Sequence, residues 1–272
     1  MKNLSKNGAL IIGASGTIGK ALHAAIGGTP FTRAELDLAD NSEHWPEFPP
    51  ADVAYLCAAA TKLETCEKNP EATQKINVTH MQILAERLQK NGTFIVFLSS
   101  NQVFDGSVPF RKTTDAPCPV NEYGRQKAVF EAWLLARNIP AAVLRLTKVV
   151  SGPLPITRQW EEALRKGEAV EAFDDLRFAP LPLESVLAAL HDIGIKKRAG
   201  IFHLSGTHDI SYYRIAQMLA QKIGVDSALV RPASAASKGI APQFLPAHGT
   251  LECSIFDGIT IPDPEYILFS SS

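Results

Sequence analysis

The chain has 272 residues, 46% of them hydrophobic and 20% charged, which is enough apolar material for one large domain or two unequal lobes. Its 27 lysines and arginines nearly balance 28 aspartates and glutamates, so the composition argues against a nucleic-acid-binding protein. Any anionic ligand must therefore be held by local groups rather than by a general positive field.

Short apolar strands alternate with longer helical patterns through the first half of the chain. The predicted strands are residues 8–12, 30–32, 52–58, 93–98 and 141–146, and the predicted helices are residues 17–26, 70–90 and 121–137. Strands that are apolar on both faces and separated by helices are typical of parallel sheets covered on both sides. The sequence therefore predicts an α/β fold with a doubly wound parallel sheet of the Rossmann type.

The second half of the chain is less regular. We predict helices at residues 160–166, 183–193 and 211–223, with Ser211 as the N-cap of the last, and a strand at residues 200–204. Residues 231–250 are rich in Ala, Ser, Pro and Gly and predict a long loop, either a binding wall or a disordered segment. We expect residues 1–148 to form the sheet domain and residues 149–272 a smaller mixed lobe, parts of which return to the sheet.

A glycine-rich turn, GASGTIG at residues 13–19, joins the first strand to the first helix. Glycines in this place let the backbone approach a pyrophosphate, and the helix N-terminus offers unpaired N–H groups to it. The alternative is a turn without a ligand, but the position between a strand and a helix is the one that dinucleotide binding requires. The predicted cofactor contacts in this turn are Gly13, Ser15, Gly16, Thr17, Ile18 and Gly19.

Arg33, twenty residues after Gly13, indicates which dinucleotide binds. An acidic residue near this place would hold the ribose 2′-hydroxyl of NAD, whereas an arginine suits the 2′-phosphate of NADP. A guanidinium can bind phosphate with two parallel hydrogen bonds. Arg33 favours NADP over NAD as the cofactor, with a surface arginine at a strand end as the alternative.

Three side chains near the carboxyl end of the fourth predicted strand suggest a reaction. Tyr123 and Lys127 share a helix face, and Ser100 ends the strand where ligands of parallel sheets bind. Reduction of a ketone by hydride transfer needs a proton donor, and a lysine ammonium one turn away would lower the pKa of the tyrosine from its ordinary value near ~10. Ser100 could donate a hydrogen bond to the carbonyl oxygen. The alternative is an ordinary exposed pair on a helix.

Four segments in this order resemble the extended short-chain dehydrogenase/reductase family, and within it the dTDP-4-dehydrorhamnose reductase branch. They are GASGTIG, then CAAA at residues 57–60, FLSSNQVFDG at residues 97–106 and YGRQK at residues 123–127. The segment FTRAELDLAD is also similar to that of the NADP-dependent GDP-fucose synthase branch. By this resemblance, Lys127 also holds the nicotinamide ribose hydroxyls, and Tyr123 is a further cofactor contact. The remaining cofactor contacts implied by the resemblance are Asp37 and Leu38 at the adenine and Cys57, Ala58 and Ala59 along the cofactor.

The substrate side departs from the rhamnose-reductase pattern. Lys148 and Val150 stand where that branch has an aromatic pair, and Gln102 replaces a tyrosine near the sugar. The segment FLPAHGTLECS lacks the expected Arg-Pro pair. We predict that the substrate is a nucleotide-linked sugar without naming which one. The candidate substrate contacts are Asn101, Gln102, Arg145, Lys148 and Arg177; alternatively, Arg145 pairs with a carboxylate inside the fold and Arg177 lies on the surface.

Three functions remain open at this point. The first is an NADP(H)-dependent oxidoreductase that reduces a keto-sugar nucleotide, with Ser100, Tyr123 and Lys127 as catalytic residues. The second is a cofactor-loaded regulatory subunit, because members of this branch serve as non-catalytic partners of other enzymes. The third is a nucleotide-sugar epimerase, disfavoured because Asn101 and Gln102 are neutral amides where a second acid or base would stand.

The remaining composition points to the cytoplasm. The four cysteines include no CxxC pair and the seven histidines no HExxH pattern, which fits a reducing compartment and predicts no metal site. The sequence shows no signal-peptide pattern and no apolar run near the ~18 residues that a membrane helix needs. We expect a cytoplasmic protein that contacts neither membranes nor nucleic acid, and a homodimer is one open alternative for its assembly.

Overall fold

The computed structural model describes residues 8–137 and 139–269. Its strands are β1 (Ala9–Ile12), β2 (Thr29–Phe31), β3 (Val53–Leu56), β4 (Phe94–Ser100), β5 (Ala141–Leu146), β6 (Lys148–Val150), β7 (Val170–Phe173), β8 (Arg177–Phe178), β9 (Pro180–Pro182), β10 (Gly200–Leu204), β11 (Ile210–Ser211) and β12 (Val230–Ala233). Its helices are α1 (Thr17–Ile26), α2 (Leu63–Lys68), α3 (Pro70–Gln74), α4 (His80–Lys90), α5 (Glu122–Ala136), α6 (Pro155–Arg165), α7 (Leu183–Lys196), α8 (Tyr212–Ile223) and α9 (Pro264–Phe269).

A six-stranded parallel sheet in the order β10-β5-β4-β3-β1-β2 forms the centre of the protein. Strands β1 and β3 are buried along their whole length, because helices α4 and α5 cover one face of the sheet and α1 and α7 the other. The predicted doubly wound Rossmann-type sheet is confirmed. The order reverses beside β1, so the carboxyl ends of β1 and β3 border the crevice where this architecture binds ligands.

A smaller lobe has its own apolar core, formed by α6, α8, β7, β12 and α9. Strand β10 and helix α7 also come from the second half of the chain, but they join the six-stranded sheet and its cover. The boundary between residues 148 and 149 itself stays a prediction. Within the described part of the chain, no helix combines the length and the apolarity needed to cross a membrane.

One predicted helix is built differently. The pattern predicted a continuous helix over residues 70–90, whereas α3 and α4 are separated by a π-helical turn, Lys75–Thr79. This turn carries Asn77, which is buried: its Oδ1 accepts a hydrogen bond from the Ala60 amide at 2.8 Å, and its Nδ2 donates to the Ala60 carbonyl at 2.9 Å. Its Nδ2 also donates to Oε1 of Gln126 at 2.8 Å. The π turn therefore fixes the loop that follows β3, which agrees with the frequent presence of such turns at functional sites.

Two further predictions have clear outcomes. Ser211 is the N-cap of α8, since its Oγ accepts a hydrogen bond from the Arg214 amide at 3.1 Å, which confirms that prediction. The predicted loop 231–250 instead contains most of β12 and a 3₁₀ turn, Pro242–Phe244. The strand forms there because residues 230–233 pair in parallel with β7 in the smaller lobe, a contact that local composition does not reveal.

Candidate functional site

A cleft of about 530 Å³ opens at the carboxyl ends of β1, β2 and β3. Its walls include every cofactor contact predicted from the glycine turn, from the segment after β2 and from the segment after β3. The lining residues that the sequence interpretation missed are Leu36, Ala60, Thr61 and Ile76. Ile76 belongs to the π turn, Lys75–Thr79, which a plain helical pattern does not predict.

Two glycines make the turn before α1 possible. Gly13 has φ +89°, and a Cβ there would lie 2.6 Å from the Ala58 amide nitrogen. A Cβ on Gly19 would overlap the Gly13 carbonyl oxygen. Gly16 is the N-cap of α1. Because glycine has no side chain, the cap residue does not hydrogen-bond to the first backbone N–H groups of the helix. The backbone is thus arranged to receive an anionic group at the positive end of the helix dipole.

In the part of the cleft lined by the segment after β2, Arg33 and Asp37 form an exposed ion pair, with 3.0 Å between Nε and Oδ2. The pKa of the Asp37 carboxyl is lowered, chiefly by the hydrogen bond from the Ala39 amide and also by Arg33. The Arg33 side chain is 76% exposed, so its guanidinium can turn toward a phosphate at small cost. The carboxylate of Asp37 lines the same cleft.

Ser100 is the last residue of β4, and its Oγ accepts a hydrogen bond from the Gln102 amide at 3.2 Å. Helix α5 begins beside it, with Asn121 as the N-cap whose Oδ1 accepts from the Gly124 amide at 2.9 Å. A Cβ on Gly124 would overlap the Gln102 carbonyl oxygen, so only glycine allows α5 to approach this closely. Gly124 is therefore a structural requirement of the site. The sequence analysis did not single it out, although it stands in the segment YGRQK.

Tyr123 and Lys127 are both buried on the first turns of α5. The Lys127 ammonium donates a hydrogen bond to the Leu98 carbonyl at 2.8 Å and lies 4.4 Å from the centre of the Phe97 ring. It lies 5.7 Å from the centre of the Tyr123 ring. The lysine is therefore directed at the carboxyl end of β4.

The electrostatics of this pair differ from the expectation. Burial raises the pKa of the Tyr123 phenol, and a charge on the neighbouring Cys66 would raise it further, so the net direction is opposite to the predicted lowering. Burial also lowers the pKa of Lys127 to about 8, although Glu131 favours its charged form. At pH 7 the phenol keeps its proton and the ammonium outnumbers the amine by about ten to one. The site therefore holds a proton donor beside a cation.

Residues from the last quarter of the chain lie beside Ser100. Asn101 donates to the Gly249 carbonyl at 2.9 Å, and Gln102 accepts from Asn121 at 2.7 Å. Asp209 accepts from the Gly249 amide at 2.8 Å, and its other oxygen lies 3.7 Å from Nδ1 of His248. Part of the segment predicted as a loop is thus fastened beside Ser100. Asp209 and His248 were not identified from the sequence, since nothing local connects them to the site.

The three basic residues predicted to contact substrate do not meet at the cleft. Arg145 is 1% exposed and bound to Glu131, with 2.6 Å between Nη2 and Oε2, so the expectation of a substrate contact is corrected to the internal ion pair. The Lys148 ammonium lies 3.2 Å from the Tyr212 hydroxyl, on the smaller lobe. Arg177 is exposed and donates to the Asp174 carbonyl at 3.3 Å. Within residues 8–137 and 139–269, no cluster of His, Cys, Asp and Glu side chains could hold a metal ion.

Comparisons with known proteins match nearly the whole chain. The family model described as RmlD substrate binding domain matches residues 7–265. Methionine adenosyltransferase 2 subunit beta of Pongo abelii is 27% identical over 292 residues, covering 95% of this chain and 84% of that protein. dTDP-4-dehydrorhamnose reductase of Mycobacterium tuberculosis is 29% identical over 250 residues, covering 84% and 79%. The crystal structure of dTDP-4-dehydrorhamnose reductase from Bacillus anthracis in complex with NADP superposes with a TM-score of 0.82 at 21% identity, covering 97% and 98%.

Proposed function

Because the chain belongs to the family of the RmlD substrate-binding domain, we propose that it is an NADP(H)-dependent reductase of a nucleotide-linked keto-sugar. The observation that carries the proposal is that Ser100, Tyr123 and Lys127 come together at the carboxyl end of β4. Strand β4 is the neighbour of β3, whose following loop lines the cleft of the glycine turn. A relative that covers most of the chain is named as a reductase of a dTDP-linked sugar.

The residues of the cleft fit a nicotinamide dinucleotide. The close approach of Gly13 to the loop after β3, and the free N–H groups of α1, suit a pyrophosphate. Arg33 supports NADP over NAD, because its exposed guanidinium matches a 2′-phosphate, and the similar crystal structure contains NADP. Asp37 lies beside it, and NAD remains the competing cofactor to be tested.

In the proposed reaction, the bound cofactor supplies the hydride that adds to the carbonyl carbon. Tyr123 keeps its proton at neutral pH and transfers it to the carbonyl oxygen, which completes the hydroxyl group. Ser100 donates a hydrogen bond to the same oxygen as its charge develops. The ammonium of Lys127 favours the phenolate that Tyr123 becomes, since an opposite charge nearby stabilises it.

A second function is a cofactor-binding regulatory subunit. The observation that favours it is on the substrate side, where Arg145 is bound to Glu131 inside the fold, Lys148 bonds to Tyr212, and Arg177 bonds to the Asp174 carbonyl. The relative that covers 95% of this chain is named as the beta subunit of a methionine adenosyltransferase. Such a protein would bind the cofactor and a catalytic partner chain without turnover of its own.

The two proposals separate in one experiment. We would titrate the purified protein with NADPH and NADH by fluorescence and then follow cofactor oxidation with a panel of nucleotide-linked keto-sugars. For the reductase, we expect turnover with one sugar, which Tyr123→Phe lowers by at least ~100-fold, while the exposed control Tyr266→Phe has no effect. Equal turnover in Tyr123→Phe would contradict the mechanism. Stoichiometric NADPH binding without turnover on any sugar would favour the regulatory subunit.

A further inference from the structure

A row of polar side chains crosses the face of the sheet that α5 covers. Ser99 on β4 is the register partner of Arg145 on β5, and Arg145 is the register partner of His203 on β10. All three are buried, with 5%, 1% and 0% of their surface exposed. Buried polar and charged groups destabilise a fold unless they are paired, so this row needs a partner from the covering helix.

Glu131 of α5 is that partner. Its carboxylate accepts from Arg145 Nε, at 3.2 Å to Oε1 and 3.1 Å to Oε2, and from Arg145 Nη2 at 2.6 Å to Oε2. Oε1 also accepts a hydrogen bond from the Ser99 hydroxyl. Glu131 is itself 2% exposed. A two-pronged arginine–carboxylate contact fixes direction as well as distance, so α5 is held to β4 and β5 at this point.

Lys127 stands one helical turn before Glu131, on the same face of α5. The carbonyl that receives the Lys127 ammonium belongs to Leu98, the residue directly before Ser99. The helix is thus tied to adjacent residues of β4 twice, once through Lys127 and once through Glu131. A shift of α5 along the strand would break both ties together.

We propose that Glu131 is the positioning residue of Lys127: it holds the ammonium at the carboxyl end of β4 and keeps it positively charged there. The value of that charge for catalysis rests on the proposed function, whereas the placement of Lys127 does not. The titratable groups that face Lys127 are Glu131, the thiols of Cys57 and Cys66, and the ring of Tyr123. Burial raises the pKa of the Cys57 thiol to about 12 and raises that of the Cys66 thiol as well, so the carboxylate among these groups is that of Glu131.

The test removes the carboxylate without leaving a buried cation unpaired. In the double variant Glu131→Gln/Arg145→Met, the glutamine still accepts from Ser99 and the methionine fills the space of the arginine. The matched control is Glu86→Gln/Arg137→Met, which removes an exposed ion pair between α4 and α5. The readout is the ¹³Cε resonance of Lys127 in the free protein as a function of pH, assigned by its loss in Lys127→Met.

We expect the titration midpoint of Lys127 to fall by roughly one unit in the double variant, the effect of losing an opposite charge one turn away. The control pair should leave the midpoint at its wild-type value. Glu131→Asp, which keeps the charge balance with Arg145, should shift the midpoint in the same direction by a smaller amount and serves if the double variant fails to fold. An unchanged midpoint in these variants, with only thermal stability lowered, would make Glu131 a purely structural residue and overturn the proposal.

The outcome is independent of the proposed reaction, because the titration needs neither cofactor nor substrate. A second measurement compares NADPH dissociation constants at pH 7, pH 8 and pH 9. The affinity should fall with pH in the wild type and should fall further, by roughly threefold to tenfold at pH 8, in the double variant. Failure of the wild type to bind NADPH would refute the proposed function while the ¹³C result for Glu131 still stood.

Discussion

His203 should make the protein sensitive to mild acid. Burial, together with the neighbouring Arg145 guanidinium, lowers the pKa of His203 from 6.5 to about 4. Between these two pH values the unfolded chain binds a proton at this histidine and the folded chain does not. The free energy of unfolding therefore falls as the pH falls from 6.5 toward 4, and it is unaffected by this group above 6.5.

The size of the effect follows from the same numbers. One proton corresponds to about 1.4 kcal/mol per pH unit, so the full window contributes about 3 kcal/mol and the part between pH 6.5 and pH 5 about 2 kcal/mol. Because His203 is completely buried, solvent screening does not reduce this value much. A loss of this size is a substantial fraction of the stability of an ordinary domain.

The assay is urea unfolding at pH 7, 6 and 5 for the wild type and for His203→Gln, whose amide oxygen can still accept from Arg145. Carboxylates also titrate in acid, so the informative quantity is the difference in pH slope between the two proteins. We expect the wild type to lose about 2 kcal/mol more than the variant between pH 7 and pH 5. Equal slopes would show that His203 binds its proton over the same pH range in the folded and the unfolded protein, and the reasoning from burial would fail.

Three further predictions concern the cofactor cleft. Gly13→Ala should abolish NADPH binding and lower the thermal midpoint, because the backbone has φ +89° and the new Cβ would collide with the Ala58 amide; preserved binding in a titration would contradict the close approach. Arg33→Ala should raise the NADPH dissociation constant by roughly tenfold or more and leave that of NADH within about twofold, and an equal loss for both cofactors would remove Arg33 from phosphate recognition. Asn77→Ala should cost about 1–3 kcal/mol in urea unfolding and weaken cofactor binding, because the Ala60 amide and carbonyl lose their buried partner; full stability would show that the loop after β3 is held otherwise.

The sheet and the glycine turn were predictable because their signals are local. Apolar runs between helical patterns lead to buried parallel strands, and GASGTIG stands directly at a strand–helix junction. The π turn was not predicted, since the apolar residues Ile83, Leu84 and Leu88 all lie after it in α4 and keep an ordinary helical spacing among themselves. Asn77 was therefore not recognised as the residue that fastens the cleft wall.

Arg145 illustrates a different limit. In AAVLRL every residue is buried, so the alternation that would tell which face each side chain takes is absent. Because Arg145 stands near the end of its strand, its side chain was expected at the cleft. It lies instead on the face of the sheet covered by α5, where it binds Glu131. The direction of the Tyr123 pKa was missed for a related reason, since sequence spacing gives the distance to Lys127 but not the depth of burial.

The contact between Asn101 and Gly249 joins residues 148 positions apart, and this separation orders events during synthesis. A growing chain can assemble strands β1 to β5 and the glycine turn as soon as the first part has left the ribosome, because domains fold from the N-terminus as they emerge. The wall beside Ser100 can form only after residue 249 has followed. A nascent chain would thus acquire the crevice of the glycine turn before the contact between Asn101 and Gly249 can form.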